Sequence, residues 1–105
     1  ALAHGARRQL EIAMTLALNP KVMLLDEPMA GMSQKESEEL VGLLAQLRGK
    51  YSIVLVEHDM DAVFALADRI TVVVYGRPIA CGSAEEIRSN QDVRDAYLGD
   101  QEETI

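Results

Sequence analysis

Two adjacent carboxylates, Asp26 and Glu27, close a short apolar run that begins at Val22, and Pro28 follows them directly. A second apolar run, Ile53 to Val56, closes on Glu57 and His58. Runs of this length suit strands covered on both faces, where charge is tolerated only at the open end. Pro28 disfavours a helical Glu27 and predicts an extended one, which holds the acidic pair at a strand's carboxyl edge. In open α/β sheets that edge is where ligands bind. An aspartate there, beside bound phosphates, can hold Mg²⁺ directly or through water, and the neighbouring glutamate can orient or deprotonate an attacking water. The competing reading is a solvated acidic pair that only caps a strand. If the two runs are parallel neighbours, His58 reaches the matching edge, within range of the terminal phosphate of a nucleotide held near Asp26 and Glu27.

A second group lies at the start of the chain. Gly5 precedes a helical pattern, so its backbone can approach an anion closely and the following amides can face it. His4 reads as an exposed loop histidine, and Arg7 and Arg8 as solvated helix-start cations. No Gly-x-x-x-x-Gly-Lys-Ser/Thr segment occurs anywhere, so a phosphate-cradling loop of that kind must come from outside these residues.

The elements that must position these groups follow in order. Residues 6–18 carry a helical pattern with Leu10, Ala13, Met14 and Ala17 on one face, ended by Asn19 and Pro20. A start in mid-motif suggests a chain cut from something longer. Residues 21–25 form the first strand. Ser33 with Glu36 is a capping box, followed by the stripe Leu40, Leu43, Leu44 and Leu47 and a stop at Gly49. Glu36, Glu38 and Glu39 suit the start of that helix as a solvated face and receive no chemistry. Residues 52–56 are a second strand, Asp59 caps a short helix over 60–67, and residues 70–75 are a third, β-branched strand. Strand, helix, strand, helix, strand predicts a parallel sheet with right-handed crossovers. Gly76-Arg77 turns into a short antiparallel edge strand, residues 78–81, where Pro78 is tolerated. Ser83 with Glu86 caps a helix to Ser89, Asp92 caps a last helix to Leu98, and residues 101–105 read as a frayed tail.

At 105 residues the chain is one domain or part of one. A net charge of -7 argues against a broad nucleic-acid footprint, which needs clustered Lys and Arg. One cysteine, Cys81, excludes an internal disulfide, and its place between Ala80 and Gly82 predicts a packing role. No apolar run approaches the ~20 residues that span a bilayer. Any membrane association is therefore expected through a partner.

These residues together resemble the carboxyl-terminal half of an ABC transporter nucleotide-binding domain. Leu2-Ala3-His4-Gly5-Ala6 falls where that family has its signature motif, usually Leu-Ser-Gly-Gly-Gln, and Val22 to Glu27 resembles Walker B with its glutamate. Ala30-Gly31-Met32-Ser33 falls at the D-loop, and His58 matches the switch histidine. Leu10 to Ala13, Glu57 to Met60 and Asp92 to Gly99 further resemble ATPase subunits of branched-chain amino acid importers. The resemblance implies a partial P-loop NTPase-like three-layer α/β fold: a parallel sheet core, flanking helices and a short carboxyl-terminal antiparallel hairpin. Residues 1–105 would be the carboxyl-terminal part of one such domain, without its P-loop half.

The resemblance also implies ATP and Mg²⁺ as cofactors, with Asp26 on the metal, Glu27 as general base and His58 as γ-phosphate sensor. Leu2, Ala3, His4 and Gly5 would serve the nucleotide of a second nucleotide-binding domain, and Gly31 would lie in the D-loop between the sites. Transmembrane permease subunits would hold the protein at the cytoplasmic face of the inner membrane, coupling ATP hydrolysis to import of branched-chain or related amino acids. No nucleic-acid partner is implied, and a DNA-repair or translation ATPase would carry coiled-coil insertions or basic linkers that are not seen. Ala3 replaces the usual signature serine and its hydroxyl, while His4 and Ala6 replace a glycine and the glutamine. Lacking a P-loop, the chain alone is expected to be inactive. The alternative is a non-catalytic interaction module built on a truncated ABC domain.

Overall fold

The computed structural model describes residues 4–98, which divide into one compact unit up to Leu66 and a second from Ala67. The first contains α1 (His4–Leu16), β1 (Val22–Asp26), α2 (Gln34–Leu47), β2 (Ser52–Val56) and α3 (Met60–Leu66). β1 and β2 pair in parallel, Val22 opposite Ser52 through Asp26 opposite Val56. Period-two alternation turns Met23, Leu25, Ile53 and Leu55 to a core built with Ile12, Met29, Leu40, Leu44, Ala62 and Leu66. The other face carries Val22, Leu24, Val54 and Val56, all about half exposed or more. The expected two-sided burial is therefore met on one face only among the described residues.

The helices follow their caps. Ser33 Oγ accepts from the Glu36 amide and Glu36 Oε1 accepts from the Ser33 amide, each at 3.2 Å, which starts α2 as predicted. Gly49, at φ 91°, follows the Arg48 C-cap and takes the left-handed conformation that ends it. Arg48 Nη1 donates to the Leu66 carbonyl at 3.0 Å, satisfying the end of α3. The apolar face read over residues 6–18, Leu10, Ala13, Met14 and Ala17, is exposed, and Gly5 and Ile12 are the buried positions of α1. The helix has two apolar stripes, and the one containing Ile12 joins the core with Met23, Leu40 and Leu44.

In the second unit, β3 (Ile70–Val74) pairs antiparallel with β4 (Arg77–Gly82). Residues 70–75 are expected as a third parallel strand that also turns into an antiparallel hairpin; among the described residues the parallel sheet has two strands, and β3 takes its hydrogen bonds from β4 in the expected hairpin. Tyr75 (φ 49°) and Gly76 (φ 76°) make the two-residue turn of that hairpin, which pairs one edge of β3. The turn therefore sits one residue earlier than Gly76-Arg77. A register shift beside Val73 leaves Ile79 as the extra residue and sets Val73 opposite Pro78. Cys81 is exposed, not packed, and its Sγ accepts from Thr71 Oγ1 at 3.3 Å. α4 (Ala84–Ser89) starts with the predicted Ser83–Glu86 box. The next helical turn, α5 (Gln91–Val93), is capped by Asn90 Oδ1 on the Val93 amide at 3.2 Å, not by Asp92, which lies inside it; residues 94–98 continue as a π-helix. Ile70, Val72, Ile87 and Val93 form this unit's buried core. Ser83→Ala is expected to lower stability by about 1 kcal/mol through loss of the cap, read as a lower urea midpoint.

Candidate functional site

The parallel pairing carries Glu27 and His58 to the same edge. The Glu27 amide donates to the Val56 carbonyl at 2.7 Å, continuing the ladder one residue past β1. Glu27 then leaves the strand direction: its φ is 48°, in the left-handed region and not extended as Pro28 predicts. Pro28 still bars the right-handed helix, so a chain that must turn here takes the other available bend. For a non-glycine residue this costs about 1–3 kcal/mol and persists only where neighbours over-determine it. They do so here. The Glu27 carbonyl accepts from the Ala30 amide at 3.1 Å, and the buried Met29 amide donates to Glu57 Oε2 at 3.1 Å.

Glu57 is the residue that sequence reasoning missed at this edge. Its Oε1 accepts from the His58 amide at 3.1 Å while Oε2 holds Met29, so one half-buried carboxylate ties the ends of β1 and β2 together. His58 Nε2 lies 3.3 Å from Glu27 Oε1, and ligand atoms of Glu27, Glu57 and His58 all fall within 4.8 Å of one another. The His58 side chain is 75% exposed and that of Glu27 47%, so their pairing contributes no more than about 1 kcal/mol to stability. Its value is geometric. A carboxylate and an imidazole in contact at a solvent-open edge can accept a proton from water and meet a phosphate oxygen.

Asp26 stands apart from this cluster. Alternation places it on the outward face with Leu24, exposed, beside a cleft of about 190 Å³ that Arg8, Thr15 and Pro28 also line. Its carboxylate has no hydrogen bond or ion pair within the described residues. A free carboxylate that leaves room for water and phosphate oxygens fits Mg²⁺, whereas the Glu57 carboxylate is already committed to two backbone amides.

At the start of α1, Leu2 and Ala3 lie outside the described residues. His4 is not a loop residue but the first of α1, and its Nε2 donates to the Ala30 carbonyl at 2.9 Å. Gly31, at φ 78°, packs under that ring: a Cβ there would lie 3.4 Å from His4 Nε2. The buried Gly5 amide donates to Glu36 Oε2 at 2.6 Å. The Ser33 amide first, and the Gly5 amide second, hold the Glu36 carboxyl below its ordinary value of 4.5. Glu36 is thus no simple solvated charge, unlike Glu38 and Glu39, which are exposed. The capping box announces how its side chain turns back, but nothing in the local sequence announces Gly5.

Comparison with known proteins adds to this geometry. A family model described as "Branched-chain amino acid ATP-binding cassette transporter" matches residues 77–103. The chain is 50% identical over 101 residues to the high-affinity branched-chain amino acid transport ATP-binding protein LivG of Salmonella typhimurium, covering 94% of this chain and 40% of that protein. It is 45% identical over 101 residues to BraF, of the same description, from Pseudomonas aeruginosa, with the same coverage. A solved ATP-binding cassette of an ABC transporter in its ADP conformation superposes with a TM-score of 0.80 at 30% identity, over 93% of this chain and 41% of that one. The chain spans about two fifths of the length of the curated relatives it matches.

Proposed function

This chain is similar over nearly its whole length to part of the branched-chain amino acid ATP-binding cassette proteins, and its α/β fold is that of ABC ATPase domains; from that premise we propose that it is the carboxyl-terminal part of an ATP-hydrolysing transporter subunit. The observation that carries the reading is the Glu27–His58 contact at the ends of two parallel neighbours, on the positions where the resemblance expects a base and a phosphate sensor.

In this reading Glu27 orients the attacking water and takes its proton, the backbone bend at Glu27 aiming the carboxylate toward His58 and away from the strand line. His58 donates to the terminal phosphate of ATP. Asp26 would hold Mg²⁺, which when bound neutralises charge on the nucleotide's phosphates. His4 and Gly5, with Leu2 and Ala3, would face the nucleotide of a second ABC domain, and Gly31 would lie in the loop between the two sites. Among the described residues no helix is long and apolar enough to cross a membrane. Attachment at the cytoplasmic face of the inner membrane would come through permease subunits, and the relatives' names support branched-chain or related amino acids as cargo.

The division of labour is testable. The isolated 105-residue chain is expected to show no Mg²⁺-dependent ATP turnover, and a longer protein joining these residues to a P-loop segment is expected to show it. Phosphate release by the isolated chain that disappears in Glu27→Gln would overturn the proposed dependence on a P-loop.

A further inference from the structure

One carboxylate holds the amino termini of two helices. Glu36 Oε1 accepts from the Ser33 amide at 3.2 Å and closes the capping box of α2, while Oε2 accepts from the Gly5 amide at 2.6 Å, 31 residues earlier in the chain. Beside this bond, His4 Nε2 reaches the Ala30 carbonyl and its ring covers Gly31. We propose that Glu36 is a positioning residue whose carboxylate latches the start of α1 to the β1–α2 loop, so that His4–Gly5 and Ala30–Gly31 move as one body. The role in turnover rests on the ATPase reading above; the latch itself does not.

The chemistry favours a carboxylate at this point. The first amides of a helix have no partner inside it, and the helix end attracts negative charge. An ionised acceptor makes a shorter and stronger bond than a neutral one, in keeping with 2.6 Å. Gly5 is buried, so losing Glu36 strands its amide away from water. Glycine is also required for the approach, since a Cβ at position 5 would meet Glu36 Oε2 at 2.5 Å and push the carboxylate off. Ser33 and Gly5 supply neutral donors, and His4 is the titratable group facing Glu36, favouring its ionised form.

The test separates a latch from a plain helix cap. In the ¹⁵N-labelled chain, the Gly5 amide resonance is followed from pH 7 downward beside the Glu36 carboxyl carbon. Both are expected to move in one transition below 4.5, the transition at Gly5 vanishing in Glu36→Gln and persisting, shifted upward, in Ser33→Ala, which removes the capping hydroxyl but leaves the Glu36 carboxylate and the Gly5 amide in place. A Gly5 amide that ignores Glu36 protonation in the unmodified chain overturns the latch, whatever the variants do. In the longer, P-loop-containing protein, Glu36→Gln and Gly5→Ala are each expected to lower kcat about tenfold or more with the KM for ATP unchanged, as misplacement of a positioned group does. Unchanged kcat in both variants overturns the positioning role. Failure of the ATPase reading would appear instead as turnover insensitive to Glu27→Gln, with the amide titration intact.

Discussion

Glu27→Gln is expected to lower ATP turnover by the P-loop-containing protein about 10²–10⁴-fold, the range that a positioned general base contributes. The substitution is nearly isosteric. A glutamine keeps an oxygen for the contact with His58 and meets the same backbone constraints, since the 2.7 Å bond to Val56 and the bend before Pro28 involve only main-chain atoms. What it loses is the ability to take a proton from water. Equilibrium binding of ATP should therefore be retained while single-turnover hydrolysis fails. A loss below about threefold would show that another group takes the proton, and Glu57 is the nearest candidate carboxylate. Glu57→Gln is the informative comparison, because its two oxygens separately serve Met29 and His58 and an amide puts an NH2 donor in place of one of them.

Leu40→Ala is expected to destabilise the protein by about 2–5 kcal/mol, a large share of the 5–15 kcal/mol typical of a native domain. Leu40 is fully buried, in the cluster that joins α2 to Ile12 of α1 and Met23 of β1. Removing its side chain leaves a cavity shared by the elements that carry both Glu27 and Gly5. Leu10→Ala on α1 is the control. Leu10 is 51% exposed, and the substitution should stay within about 0.5 kcal/mol. Urea unfolding at constant slope reads both. A costly Leu10→Ala beside a mild Leu40→Ala would mean that α1 buries its other stripe.

Much of the local structure is legible in the residues alone. Ser33–Glu36 and Ser83–Glu86 start their helices where the capping box says, because both halves of that motif lie within one turn. The strand Ser52–Val56 has the predicted ends, and β1 ends on its acidic pair, because an apolar run bounded by charge is a local signal. The family resemblance rests on the same short-range order, and the similarity to LivG and BraF runs over nearly the whole chain.

Other features depended on contacts far apart in sequence. Periodicity could not choose between the two apolar stripes of α1, since the choice is made by the packing of Ile12 with Met23, Leu40 and Leu44, which lie far away in sequence. Nor could it place β3 in the parallel sheet: a β-branched run reads the same in either, and only its hairpin partner is announced locally, by the turn at Gly76. The presence of Asp26, Glu27 and His58 was fixed by sequence, together with the kind of chemistry those groups can do. Only the tertiary structure decided that Glu27 bends into the left-handed region and meets His58, that Asp26 stays exposed outside their cluster, and that Glu57 and Glu36 clamp the segments between. The physical reason is one of range. Caps and strand ends form between near neighbours, whereas a clamp joins backbone amides to a carboxylate some thirty residues away.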